Sequence, residues 1–116
     1  MASRSTLIKI QNNTNATLTR TSASLSAGEW TENMYPPDTI SANGTATFQA
    51  ESDGFATGDQ GSVNYQVGSA GQLQINFDDP FSGSNGYSVS APSGYSASYT
   101  GGDGNNGAIV VTLTPA

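Results

Sequence analysis

The chain has 116 residues, nine acidic and three basic side chains, and a formal net charge of −6. It contains no His and no Cys, which excludes Ser-His and Cys-His nucleophile pairs, conventional zinc and haem sites, and disulfides. Arg4, Lys9 and Arg20 are its only cationic residues, too few to neutralise a run of phosphates, so nucleic acid is excluded as a partner.

Ser, Thr, Asn and Gly make up nearly half of the chain, and charged residues only 10%. That composition favours short strands and tight turns over helix. The first ten residues hold no apolar run of signal-peptide length, and no window approaches the ~20 apolar residues of a spanning helix. The expectation is a protein that is cytoplasmic or released without a signal peptide. Residues 6–11 form the first predicted strand, and the Asn/Thr cluster at 12–15 a turn. Residues 17–27 carry Leu18 and Leu25 among Ser, Thr and Arg20, the pattern of a polar edge pair. Residues 29–34 read as a strand bearing Trp30, broken by Pro36 and Pro37. A strand follows at 45–50 with Phe48 inward. Residues 51–60 read as a solvated loop holding Glu51, Asp53, Phe55 and Asp59.

The clearest element is a hairpin. Val63, Tyr65 and Val67 alternate with polar neighbours, as do Leu73, Ile75 and Phe77, and residues 68–71 supply the turn. Tyr87, Val89 and Ala91 alternate next; after the turn at 92–94, so do Tyr95, Ala97 and Tyr99. The last strand, 108–114, has Ile109, Val111 and Leu113 on one face and Val110 on the other. Eight to ten short strands with no helix predict an all-β fold, a single-domain antiparallel β-sandwich over residues 1–116.

Two turns carry carboxylates in calcium-like settings. Asp78-Asp79-Pro80 follows the best strand, and Asp103 lies in the glycine-rich run 101–107. Asp78, Asp79 and Asp103 are therefore the candidate calcium ligands. The plainer reading is an Asx-type turn closed by proline and a tight glycine turn, because neither run supplies a full oxygen shell. Paired-carboxylate chemistry is the only catalytic route open, and adjacent strand residues point to opposite faces, away from a common cleft. No cofactor and no enzyme activity are expected.

The run 77–89, Phe-Asp-Asp-Pro-Phe-Ser-Gly-Ser-Asn-Gly-Tyr-Ser-Val, resembles the aegerolysin segment in which an aromatic strand ends at an acidic-x-Pro-aromatic corner. In that family a Gly/Ser/Asn loop follows, leading into an aromatic-x-Val strand. Leu7-Ile8-Lys9-Ile10-Gln11-Asn12 is similar to the family's opening strand, 37–48 to its Pro-containing turn and strand, and 101–113 to its glycine turn and final strand. The resemblance implies a small acidic β-sandwich without enzymatic activity that binds membrane lipid. For some members it extends to a larger protein partner in pore formation and cytolysis.

Trp30, Tyr35, Phe55 and Phe81 sit at strand ends or in loops, and with Asn85 they are the candidate lipid- or sugar-binding residues. The alternative to lipid is a carbohydrate-binding, haemagglutinin-like lectin, with Asn and Asp beside an aromatic platform and calcium assisting. A third class is a structural or self-assembling β-protein. An acidic protein gains nothing from anionic lipid, so a lipid partner should be neutral or zwitterionic. Oligomeric state is not encoded in any motif.

Overall fold

The period-two alternation at 63–67 and 73–77 is realised in a hairpin of two nine-residue strands, Asp59–Val67 and Gly71–Asp79. The computed structural model describes residues 3–54 and 56–116; the candidate Phe55 lies outside them. Val63 pairs with Ile75 and Tyr65 with Leu73, and with Val67 and Phe77 all six apolar side chains are buried. The chain reverses through Gly68, whose φ of 52° is in the left-handed region that favours glycine.

Among the described residues ten strands occur in chain order: β1 (Ser5–Asn12), β2 (Leu18–Ala27), β3 (Glu29–Trp30), β4 (Thr39–Ile40), β5 (Thr45–Glu51), β6 (Asp59–Val67), β7 (Gly71–Asp79), β8 (Gly86–Ser90), β9 (Tyr95–Gly101) and β10 (Asn106–Pro115). They form two five-stranded sheets, ordered β3-β5-β1-β10-β9 and β4-β2-β6-β7-β8. The sandwich is antiparallel except at one place: β1 and β10 run parallel, Ile8 beside Ile109 and Ile10 beside Val111. A parallel pair needs a long crossover, and here nearly the whole chain supplies it.

Three local expectations are corrected. The stretch 17–27 is not a polar edge pair but one ten-residue strand, β2, hydrogen-bonded to β4 and β6. Its alternation is blurred because the register slips between Arg20 and Ser22 and again between Leu25 and Ala27, as β-bulges do. The strand at 29–34 shortens to Glu29–Trp30, since the chain turns at Asn33 with a φ of 63°. The loop at 51–60 loses both its ends to strands, Glu51 to β5 and Asp59-Gln60 to β6.

The inward faces meet in a core that includes Ile8, Ile10, Phe48, Tyr65, Ile75 and Leu113. Among the described residues aromatic rings bridge the sheets at two places. Trp30 meets Phe48 and Phe77 edge-on, with centroids 6.2 Å apart in each pair. Tyr87 of β8 and Tyr99 of β9 meet at 5.6 Å, joining the end strands of the two sheets.

Candidate functional site

The loop between β3 and β4 holds the first group of candidate residues. It is tied to β5, the Thr31 amide donating to the Gln49 carbonyl and the Gln49 amide to the Met34 carbonyl. Tyr35 follows, half exposed, its ring edge-on to Trp30 at 5.6 Å. The Arg20 guanidinium lies 4.8 Å from the centre of the Tyr35 ring, close enough for a cation–π attraction. Arg20 also donates to the Pro36 carbonyl at 2.6 Å and pairs with Asp38 at 2.9 Å. Behind the loop, the Tyr65 hydroxyl donates to the Pro37 carbonyl at 2.7 Å; burial raises its pKa above the ordinary tyrosine value. Trp30 is half-buried with its ring on the core, while Tyr35 is the ring offered to solvent.

Phe81 forms a second group. It is exposed just beyond β7, and the Arg4 guanidinium lies 4.8 Å from its ring centre. Arg4 also donates to the Pro80 carbonyl at 3.3 Å and the Phe81 carbonyl at 2.5 Å, so it shapes the corner as well as covering it. Beside Phe81 is a polar hollow of about 220 Å³ bounded by Ser84, Asn85, Asp103 and Asn105 among others. Asn85 is half-buried, and its amide donates to the Gly102 and Gly104 carbonyls at 2.8 and 2.7 Å. It clasps the β7–β8 loop to the β9–β10 turn, so its donors are committed to the fold. Trp30 and Tyr35 thus come together, whereas among the described residues no ring pair links Phe81 to either.

The carboxylates do not converge as a metal site. Asp78 and Asp79 belong to strand β7, not to the expected Asx-type turn; Asp78 points outward and Asp79 into the sandwich. Asp103 is exposed on the glycine turn. Among the described residues no group of three or more His, Cys, Asp or Glu is placed to hold a metal ion.

What the residue pattern did not reveal is a buried carboxyl pair. Asp59, expected in a solvated loop, stands directly opposite Asp79 in the β6–β7 register, and the two are 1% and 0% exposed. Thr6 donates its hydroxyl to one Asp59 oxygen at 2.5 Å. The other Asp59 oxygen and both Asp79 oxygens have no hydrogen-bond partner among the described residues. Burial pushes the pKa of Asp59 up to about 7, with Asp79, Asp78 and Glu51 adding repulsion and Thr6 opposing it. Burial likewise raises Asp79 to about 6, against the pull of Arg4 and of the nearby Gly107 and Ser5 amides, neither of which reaches it in hydrogen-bonding geometry. Two like charges facing each other in a buried site cannot both ionise cheaply. The signal was in the phase: Asp59 is two alternations before Val63, and Asp79 one beyond Phe77.

A family model described as Aegerolysin matches residues 3–114. Among curated proteins no sequence matches the chain significantly. Similar solved structures include RahU, crystallised with a Tris molecule, at TM-score 0.82 and 18% identity over 100% of this chain and 98% of that one. The lipid binding protein Nakanori matches at TM-score 0.83 and 12% identity, over 98% of this chain and 72% of that one. IP-1A from Alcaligenes faecalis matches at TM-score 0.75 and 21% identity, over 98% and 92% of the two chains. At these identities the likeness to the solved structures is one of fold.

Proposed function

This chain belongs to the aegerolysin family, and from that membership we propose that it is a non-enzymatic protein that docks on neutral or zwitterionic membrane lipid through its loop aromatics. One observation carries the reading. Tyr35 and Phe81 are exposed aromatics outside the strands, and each has an arginine over its ring. In a chain of net charge −6, two of the three cations therefore sit at the two loop aromatics that are exposed among the described residues. A ring that can enter the acyl boundary, with a guanidinium beside it to meet a phosphate, suits a zwitterionic headgroup layer. Nakanori, which shares the fold, is a lipid-binding protein, which supports the same class of ligand here.

The absence of catalysis is part of the proposal. The chain supplies no His or Cys, and its carboxyl pair is sealed from solvent, out of reach of any substrate. Service as a membrane receptor for a larger pore-forming partner, which the family resemblance implies, belongs to the same reading.

The energy must come from apolar burial. An enclosed aromatic buries about 150–250 Å², worth at most a few kcal/mol at ~25 cal/mol/Å², so Tyr35 and Phe81 together give reversible docking. Co-sedimentation with vesicles of phosphatidylcholine, sphingomyelin or phosphatidylethanolamine should exceed that with phosphatidylserine. Tyr35→Ala combined with Phe81→Ala should weaken it about tenfold or more, as expected for a loss above 1.4 kcal/mol, with the β-sheet spectrum retained. A folded double variant that sediments like the parent sinks the proposal.

A further inference from the structure

The outer face of the β2-β6-β7-β8 sheet is polar yet almost uncharged. Its outward positions on β6, β7 and β8 carry Ser, Asn, Gln and one Gly, and Asp78 is the one charged residue among them. Near Asp78 this face hollows into an open groove of about 430 Å³, walled by Ser26, Gln60, Ser62, Asn76, Asp78 and Ser88 and lined as well by the apolar surface of Phe77, Tyr87 and the two glycines Gly61 and Gly86. That volume falls within the ~300–1,000 Å³ of small-molecule sites. Gly86 faces Asp78 across the β7–β8 pair, and a Cβ placed on it would meet nothing within 4 Å. The groove is therefore open beside the carboxylate.

The hydrogen-bonding capacity of the groove is largely unspent. Among the described residues the Asp78 carboxylate makes no hydrogen bond or ion pair within the protein. Neither does the Gln60 side-chain amide. Asn76 donates one bond, to the Ser88 hydroxyl at 3.1 Å, which leaves its carbonyl and a second N–H available. An acceptor-only carboxylate thus lies among amides and hydroxyls that both donate and accept. An apolar ligand would leave these groups unpaired, at a cost, and an anion would meet Asp78 with no compensating cation on this face. A ligand of adjacent hydroxyls and no net charge satisfies them. Two neighbouring hydroxyls can donate to the two oxygens of Asp78 while the Gln60 and Asn76 amides donate to sugar oxygens. We propose that this groove is a binding site for neutral hexose units. It is independent of the aromatic groups assigned to lipid.

The test uses the full chain and amide NMR spectra. Lactose, maltose, cellobiose, mannobiose and N,N′-diacetylchitobiose are each titrated to tens of millimolar. At least one should move the amides of Gln60, Ser62, Asn76, Asp78 and Ser88 saturably. Asp78→Asn should weaken that binding about tenfold, the scale of one charge-assisted hydrogen bond. Gly86→Trp fills the groove and should abolish it, leaving the remaining spectrum and vesicle co-sedimentation unchanged; Gly86→Ala should keep both. The proposal is overturned if no sugar moves those amides, if the shifts fall elsewhere, or if they survive both Asp78→Asn and Gly86→Trp. Loss of vesicle binding by Tyr35→Ala with Phe81→Ala bears only on the lipid reading, so the two fail separately.

Discussion

The Asp59–Asp79 pair makes the stability of the protein depend on pH in an unusual direction. Most buried carboxylates are held ionised by partners, and their proteins weaken in acid. Here burial raises both groups, Asp59 from 3.8 to about 7 and Asp79 from 3.8 to about 6. Between pH 4 and 7 the folded chain therefore binds more protons than the unfolded one, and stability falls as pH rises through that window. The extra stability is fully present below about pH 4 and lost by about pH 7. At 1.36 kcal/mol per pH unit, the rise at Asp59 corresponds to about 4 kcal/mol, and that at Asp79 to less. The two titrations are coupled and do not simply add, so a total of about 3–5 kcal/mol is expected. For a domain of this size that is a fall in Tm on the order of 10 °C between pH 5 and pH 8. Thermal unfolding followed by far-UV circular dichroism at fixed ionic strength measures it. Asp79→Asn removes one titrating group and the repulsion it exerts on Asp59, so the variant should be the more stable protein at pH 8 and have a flatter profile. A Tm that is level or rising from pH 5 to 8, or a slope unchanged in Asp79→Asn, refutes the reasoning.

Two further perturbations test the packing. Ile75 is fully buried opposite Val63; Ile75→Ala should cost about 2–5 kcal/mol, read as a lower midpoint in urea with an unchanged slope. A Cβ at Gly58 would collide with the Asp79 carbonyl oxygen and fall 2.8 Å from Pro80 Cα. Gly58→Ala should therefore destabilise by about 1–3 kcal/mol, and equal stability to the parent would show that the corner relaxes freely.

Where one face of a strand is buried and the turn is local, the residues disclose the structure. The alternation of Val63, Tyr65 and Val67 against Leu73, Ile75 and Phe77 names the core side of the central hairpin, and all six side chains are buried there. The parallel partnership of β1 with β10 was not legible, because it joins segments about a hundred residues apart and no turn chemistry announces it. Strand β2 was obscured by its two register slips, which break the period that reveals a strand. The acids depart from expectation for a different reason. Asp59 and Asp79 continue the apolar phase of their strands, but a carboxylate defaults to solvent, and that preference outweighed the phase. At the candidate site, the placement of Trp30, Tyr35 and Phe81 at strand ends or in loops was legible. Their division was not: the Trp30 ring turns to the core, Tyr35 and Phe81 to solvent, and the arginines that cover the latter come from residues 4 and 20.

Membrane docking by the two arginine-covered aromatics is tested most directly by locating the lipid contact on the intact chain. Isotropic phosphatidylcholine bicelles carrying a spin label at the top of the acyl chains broaden the NMR lines of amides that approach them. Broadening is predicted at Tyr35 and its loop and at Phe81 to Ser84, with the outward amides of β6 and β7 spared. The pattern should persist in high salt, because screening acts on charge and not on apolar area. Broadening centred on the outer sheet face, or none at Tyr35 and Phe81 while other amides respond, would contradict the account.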